Sequence, residues 1–558
     1  MTTDALFAAA ESWLAQDPDE STSAELRALI DSAQQGNHEA VLQLEARFEA
    51  RLAFGTAGIR GELGAGPMRM NRVLVGQAAA GLAAFLLERD ADASIVIGYD
   101  GRVNSDVFAR DTAEIMAGAG VRTLLLPRLM PTPVTAFAVR HLDTSAGVMV
   151  TASHNPPRDN GFKVYLGDDD EGSQIVAPVD AEIAQHIATV AETISLNDVP
   201  RSSQYEVVSD GLWEAYVSAT AKLSAAPQSP DLRVVYSAMH GVGWETVRAV
   251  LAHAGYAEPI PVLAQIEPDG SFPTVDFPNP EEPGALDLAI ATAREHRAHL
   301  ILANDPDADR LAVCIPDERA DNGWRALTGN EIGLLLGWDA ASRADSGVLA
   351  ASIVSSPGLR KIAEHFSLDA AETLTGFKWV SRVPGMIFGF EEALGYCVDP
   401  QVVRDKDGIS ALLRVLAIAD GLAAKHETLA SELERIAEAV GGFASGQVSV
   451  RVDDLRLIGV IMANLRAHAP SELGGDAVVE ADDLSLPEHG AKGDILRFTL
   501  ESGSRVMVRP SGTEPKVKVY IDAASTTGSG AERIASAKTA VATLSQAAED
   551  LLARAQGE

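Results

Sequence analysis

The sequence predicts an α/β protein: three similar mixed-sheet α/β domains followed by a smaller C-terminal α+β domain, arranged around a central cleft. Three observations point there. At 558 residues the chain is longer than one hydrophobic core serves. Short apolar runs alternate with amphipathic helical stretches, the pattern of parallel or mixed sheets covered on both faces. Aromatic residues make up only 5% of a chain that is 46% hydrophobic, which suits α/β layers better than an all-β sandwich.

Residues 1–53 read as an N-terminal helical extension, because AELRALIDSAQQ and HEAVLQLEARFEARL carry apolar residues at three- and four-residue spacing. Domain 1 (54–202) follows with the strand ASIVIGYD, the helix SDVFARDTAEIMAGAG, the strand VRTLLL, a helix around 134–139 and the strand AGVMV. Domain 2 (203–322) repeats the alternation with RVVYSAM, the helix GWETVRAVLAHAG and the strand HLILAN. Domain 3 (323–440) has GVLAASIVSS, the helix GLRKIAEHF and the stretch around GMIFGFEEALGY. Domain 4 (441–558) differs, with strands at QVSVRV, ILRFTL, RVMVRP and KVKVYIDA and a closing helix. The joints fall in 197–204, 317–330 and 441–447, where polar or glycine-rich residues cluster. The repetition is structural, without strong self-similarity of sequence.

Composition narrows the function. A formal net charge of −34 argues against nucleic acid as a partner, since phosphate repulsion would go uncompensated. No apolar run approaches the roughly 20 residues of a membrane span. The acidic start MTTDALFAAAESWLAQDPDE lacks the positive region of a signal peptide, so a cytoplasmic protein is expected. The two cysteines, Cys314 and Cys397, sit among apolar residues and read as buried free thiols. Against this acidic background an anionic substrate needs local cations, which makes positive residues near motifs informative.

Asp305, Asp307 and Asp309 in LANDPDADRLAV alternate across a turn bracketed by apolar strands. Three carboxylates this close are costly without a cation, and an all-oxygen set favours Mg²⁺. The competing reading is a solvated acidic loop. In TASHNPPRDNGFKVY (151–165), a strand delivers Ser153 and His154 into a proline-shaped turn, and Lys163 lies on its far side. A serine beside an imidazole suits a nucleophile, although such a pair alone is more often turn chemistry. In VRPSGTEPKVKVY, Arg509, Ser511, Gly512 and Thr513 offer donors suited to a phosphate oxyanion, or form a plain hairpin turn. FGTAGIRGELGAG lacks nucleotide-binding spacings but places Arg60 among glycines, where it could reach an anion. GFEEALGY sets Glu391 and Glu392 side by side, suited to vicinal sugar hydroxyls or to an acidic helix start.

Together these segments resemble the α-D-phosphohexomutase superfamily, the family of phosphoglucomutases and phosphomannomutases, in order from Phe54 to Tyr520. TASHNP resembles its phosphoserine loop, NDPDADR its metal loop, GFEEALG its sugar-recognition loop and RPSGTEPK its phosphate-binding loop. The resemblance implies Ser153 as phosphoserine and metal ligand, with Asp305, Asp307 and Asp309 on Mg²⁺ and Arg310 beside the transferring group. His154 and Lys163 would position or exchange protons, Glu391 and Glu392 hold sugar hydroxyls, and Arg509, Ser511, Gly512 and Thr513 grip the non-reacting phosphate. TGFKWV and VRDKDGIS further resemble the glucomutase side, bringing Lys378, Arg404 and Lys406 near the substrate, with Arg60 as a further cation.

The implied activity interconverts glucose 1-phosphate and glucose 6-phosphate, extending to mannose phosphates, through a phosphoserine and a sugar 1,6-bisphosphate that also serves as activator. Ala393 and Pro306 resemble the branch with phosphopentomutases and bacterial phosphoglucomutases, which keeps ribose 1-phosphate/ribose 5-phosphate exchange as the alternative. A non-catalytic phosphosugar-binding protein is the remaining reading, and the retention of Ser153 and all three aspartates argues against it. The sequence leaves the oligomeric state open.

Overall fold

The computed structural model describes residues 2–55, 58–451, 455–486, 493–510 and 516–556. The chain forms two compact units: Met1–Arg325 with Asp399–Leu413, and Ala326–Val398 with Arg414–Glu558.

In the first unit, the helices Thr3–Leu14, Glu20–Gln34 and His38–Phe48 each begin at a polar cap. Thr2, Asp19 and Asn37 accept backbone N–H groups that would otherwise lack partners. Their apolar stripes, including Leu6, Trp13, Leu26, Leu44 and Phe48, join the core of the first sheet. That sheet runs in the order Ile59–Glu62, Asp159–Leu166, Ala146–Val150, Ser94–Tyr99, Arg122–Leu125 and Glu206–Val207. The helix Arg72–Arg89 packs between Ser105–Ala119 and Val179–Thr193 and is buried on most sides, so its sequence shows no amphipathic period. A Cβ at Gly81 would stand 2.6 Å from the Ile187 backbone, which explains a glycine inside this helix.

The second sheet of this unit orders Trp324–Ala326, Leu311–Pro316, Leu300–Asn304, Val234–Ser237 and Ile260–Pro261. The second unit holds a four-stranded sheet ordered Asp369–Thr373, Val348–Ser352, Met386–Glu391 and Gly395–Cys397. It also holds a six-stranded antiparallel sheet running from Gly442–Arg451 through Lys516–Ser525, Arg505–Pro510, Leu496–Leu500 and Asp476–Asp483 to Glu472–Leu473. The helices Leu455–Ala467 and Gly530–Gln556 complete this part of the unit. Three mixed α/β sheets and a distinct antiparallel one match the fold class expected from the alternation of runs.

One device recurs in the three mixed sheets. A strand of the parallel core turns directly into an antiparallel neighbour: Ala146–Val150 into Asp159–Leu166, Leu300–Asn304 into Leu311–Pro316, and Met386–Glu391 into Gly395–Cys397. The three hairpin loops carry Ser153, the three aspartates and Glu392, with Glu391 ending the strand before its loop. Each bends on a non-glycine residue with positive φ: Ser153 at 52°, Ala308 at 57° and Leu394 at 62°.

Two expected joints are structured. Residues 441–447 lie almost wholly in the strand Gly442–Arg451, paired along its length with Lys516–Ser525. Its glycines permit close packing, since a Cβ at Gly442 would lie 2.4 Å from the Arg533 carbonyl carbon. Residues 317–330 contain the strand Trp324–Ala326 and the Thr328–Glu331 capping box that opens the next helix. Both cysteines are buried and free, and burial pushes the Cys314 thiol up to about 12. No helix among the described residues is long and apolar enough to cross a membrane.

Candidate active site

Within the first unit, the loop after Ala146–Val150 faces the loop after Leu300–Asn304. Ser153 Oγ donates to Asp305 Oδ2 at 3.1 Å and lies 3.2 Å from His154 Nδ1. Burial, followed by the positive charges of Arg310 and Arg60, holds the His154 imidazole well below its ordinary pKa, so the ring is neutral near pH 7.

Asp305, Asp307 and Asp309 are fully buried, and their ligand atoms lie within 4.8 Å of one another. Lys163, on the strand Asp159–Leu166, donates to Asp307 Oδ2 at 2.6 Å and Asp309 Oδ2 at 2.5 Å. Lys406 Nζ adds a contact of 3.3 Å to Asp309 Oδ2, and Arg310 Nε lies 3.9 Å from Asp309 Oδ1. Burial and the charges of Asp307 and Asp309 push the Asp305 carboxyl well above the usual carboxylate range. Burial acts in the same direction on Asp307, but Lys163 and the Thr132 hydroxyl outweigh it and hold that carboxyl low. Asp307 Oδ1 and Asp309 Oδ1 are buried without a hydrogen-bond partner. Two orphaned carboxylate oxygens in an all-oxygen triad fit a hard divalent cation.

The loop is braced both from within its own motif and by residues that no motif singled out. Thr132 Oγ donates to Asp307 Oδ2 at 2.6 Å, and its backbone N–H donates to the Asp307 carbonyl at 2.9 Å. Asn304 Nδ2 donates to the Arg310 carbonyl at 2.6 Å, and the Arg310 N–H donates to Asp305 Oδ1 at 3.0 Å. The turn Met239–His240, with both residues at positive φ, lets Val242 N–H donate to the Pro306 carbonyl at 2.9 Å. Thr132 and Val242 come from remote segments, so spacing along the chain carries no signal for them.

Arg60 stands on the strand Ile59–Glu62, opposite Gly161 in antiparallel register, with a buried Nε lacking a partner. Arg404 pairs with Glu171 at 2.6 Å. Both Arg404 and Lys406 belong to the segment Asp399–Leu413, which packs with the first unit although it lies in the run assigned to domain 3. Asp405 anchors this segment by accepting from Tyr165 Oη at 2.9 Å and Gln174 Nε2 at 2.6 Å.

In the second unit, Glu391 Oε1 accepts the Gly376 N–H at 2.8 Å, which ties it to the segment bearing Lys378. Glu392 Oε2 accepts from Ser352 and Ser355 at 3.1 and 3.0 Å. Arg509 is the next-to-last residue of the strand Arg505–Pro510, in register with Lys518. Ser511, Gly512 and Thr513 lie outside the described residues.

Comparison with known proteins shows the family. Four phosphoglucomutase/phosphomannomutase domain models match: alpha/beta/alpha domains I, II and III over residues 51–193, 214–318 and 328–439, and the C-terminal domain over 449–537. The chain is 53% identical over 469 residues to a probable phosphomannomutase of Haemophilus influenzae, covering 84% of this chain and 96% of that protein. It is 35% identical to a phosphopentomutase of Mus musculus, over 91% of this chain and 89% of that one. Against a phosphoglucomutase of Staphylococcus haemolyticus the identity is 33%, over 86% and 91%. The crystal structure of a putative phosphomannomutase from Thermus thermophilus superposes with a TM-score of 0.68 at 25% identity, covering 90% of this chain and 99% of that one. Four family domains in order over most of its length establish that the chain belongs to the α-D-phosphohexomutase superfamily and is an isomerase, a mutase of the phosphoglucomutase/phosphomannomutase type.

Proposed function

We propose that this enzyme moves a phosphoryl group between the 1- and 6-positions of hexose phosphates, with Ser153 as the carrier. Glucose 1-phosphate and glucose 6-phosphate are the leading pair, and mannose phosphates are accepted as well. The observation that carries the reading is Ser153 Oγ placed 3.1 Å from Asp305 of the buried aspartate triad, with the His154 imidazole at 3.2 Å. Mg²⁺, held by Asp305, Asp307, Asp309 and an oxygen on Ser153, would neutralise charge on the transferring phosphoryl group when bound.

In the first half-reaction the Ser153 Oγ–phosphorus bond breaks as the free hydroxyl of the monophosphate bonds to phosphorus, giving a sugar 1,6-bisphosphate. That hydroxyl loses its proton, and Ser153 Oγ gains one. In the second half-reaction the other phosphoryl group of the bisphosphate passes to Ser153. His154 Nδ1 takes the serine proton and returns it to the departing sugar oxygen, so no proton is gained or lost overall. Lys163 and Arg310 orient the transferring oxygens, and Arg60 and Lys406 add positive charge for the dianionic substrate. Added sugar 1,6-bisphosphate activates the enzyme by recharging Ser153. Glu391 and Glu392 face sugar hydroxyls in this scheme, while Lys378, Arg404, Arg509, Ser511, Gly512 and Thr513 bind the substrate and its non-reacting phosphate.

The second reading, a phosphopentomutase, is favoured by the Mus musculus relative and by Ala393, which brings no hydroxyl to the loop after the glutamate pair. Purified enzyme with Mg²⁺ and a trace of glucose 1,6-bisphosphate tests both. Glucose 1-phosphate turnover exceeding that of ribose 1-phosphate, and lost in Ser153→Ala, is the expected result. Faster ribose turnover moves the assignment to pentoses, and full activity in Ser153→Ala removes Ser153 as the carrier.

A further inference from the structure

Beneath the Ser153 loop lies a buried charged pair, Asp100 and Arg102, in the turn after the strand Ser94–Tyr99. Both side chains are about 1% exposed, and Arg102 Nε stands 3.8 Å from Asp100 Oδ2. The remaining donors of the guanidinium all point at one loop. Arg102 Nη1 donates to the carbonyls of Pro156 and Asp159 at 2.9 and 3.0 Å. Nη2 donates to the carbonyls of Ser153 and Asn155 at 2.7 and 2.6 Å. A guanidinium carries four terminal N–H groups, and here they meet four carbonyls of residues 153–159. The Phe272 ring closes the far side, its centroid 5.0 Å from the guanidinium carbon.

Asp100 grips the same loop through a relay. It accepts from Thr151 Oγ at 2.6 Å, Ser105 Oγ at 2.7 Å and the Arg102 N–H at 3.0 Å. Thr151 Oγ in turn accepts the Ser153 N–H at 2.8 Å. Ser153 is therefore held at both ends of its own residue, its N–H through Thr151 to Asp100 and its carbonyl by Arg102. Between those grips its φ is 52°, a left-handed conformation that a serine keeps only when its surroundings over-determine it. A side chain this deep, with its four terminal donors occupied by backbone, has no reach to a sugar phosphate.

We infer that Arg102 and Asp100 are positioning residues for phosphoryl transfer, fixing the Ser153 backbone so that Oγ meets the phosphorus in line, a role that rests on Ser153 being the phosphoryl carrier. Their effect falls on the rate of transfer and not on substrate binding, because displacing a reacting atom by about 1 Å costs on the order of 100-fold in rate.

The test uses two variants of the full-length enzyme with Mg²⁺. Arg102→Lys keeps the charge, but a single ammonium cannot span four carbonyls. Thr151→Val cuts the relay to Asp100 while leaving the buried ion pair intact. Phosphoryl uptake on Ser153 from glucose 1,6-bisphosphate is followed in a single turnover by intact-protein mass, beside steady-state kinetics with glucose 1-phosphate. The expected result is uptake slowed roughly 100-fold in both variants, with KM within about threefold of wild type. Wild-type uptake in a folded variant, or a loss confined to KM, overturns the positioning role. If Arg102→Lys does not fold, Thr151→Val decides alone. A wild-type enzyme that takes up no phosphoryl group overturns the Ser153 reading itself, which separates the two failures.

Discussion

Lys163 Nζ stands 2.5 Å from Asp309 Oδ2, and the same ammonium reaches Asp307 at 2.6 Å. A lysine on one hairpin thus neutralises part of the carboxylate charge gathered by another. Lys406 and Arg310 add positive charge beside Asp309, and the two carboxylate oxygens left without a hydrogen-bond partner, Asp307 Oδ1 and Asp309 Oδ1, are where a divalent cation would bind.

Lys163→Met tests this balance. Removing one partner from a buried ion pair strands the other, a loss of about 3 kcal/mol or more. The metal-free variant should therefore melt well below wild type. Added Mg²⁺ should raise its melting temperature by more than it raises that of wild type, because the cation then neutralises carboxylates that have lost their lysine. Thermal melts with EDTA and with MgCl₂ measure both shifts, and equal shifts in the two proteins would refute the compensation.

Asp407 gives a pH signature distinct from the metal site. Burial pushes its carboxyl up to about 6, although Ser410, Tyr216 and the Ile409 N–H donate to it. A folded-state value above the unfolded one means the native protein holds the proton more tightly, so stability from this group is present below about pH 4 and lost as pH rises through 6. The difference amounts to about 3 kcal/mol. Asp407→Asn has no such loss, so its stability relative to wild type should improve steadily between pH 4 and pH 7. Denaturant melts across that range check the slope, and a flat difference would remove Asp407 as its source.

The motifs were legible because each packs its chemistry into one hairpin loop. Ser153 with His154, and Asp305 with Asp307 and Asp309, are neighbours in sequence, and the turn between two strands keeps them neighbours in space. The supports were not legible for the converse reason. Arg102 acts on carbonyls more than fifty residues away, and backbone carbonyls carry no sequence signal. The helix Arg72–Arg89 is buried on most sides, which erases the period that marks surface helices. Gly442 resembles part of a linker until the helix Gly530–Gln556 is seen to need the space.

Tyr165→Phe probes how Lys406 is held. Tyr165 Oη donates to Asp405, burial and the Asp405 charge keep that phenol protonated far above neutral pH, and Asp405 also accepts the Lys406 N–H at 2.8 Å. Losing the hydroxyl should cost about 1–2 kcal/mol. It should also loosen the segment that presents Lys406, raising the KM for sugar monophosphate several-fold with a smaller change in kcat. Melts and steady-state kinetics on the same preparation read both, and an unchanged KM would show that Asp405 does not set the lysine's position.

Two glycine substitutions have opposite expected signs, and the second of them tests the packing against the metal loop. Gly459 lies exposed within the helix Leu455–Ala467, and a Cβ there would meet nothing within 4 Å. Gly459→Ala should therefore stabilise the protein by about 0.5–1 kcal/mol through helix propensity and a less flexible unfolded chain. Gly241 is the reverse case, since its Cβ would fall 2.2 Å from the Pro306 carbonyl oxygen and 2.4 Å from Pro306 Cα. Backbone this close cannot swing aside as a side chain does, so Gly241→Ala must push the loop bearing Asp305, Asp307 and Asp309. Overpacking costs about 1–3 kcal/mol, and displaced ligands should weaken Mg²⁺ binding roughly tenfold or more. Mg²⁺ titrations followed by thermal shift compare the two variants directly. Wild-type affinity in Gly241→Ala would mean that the triad keeps its geometry without this turn.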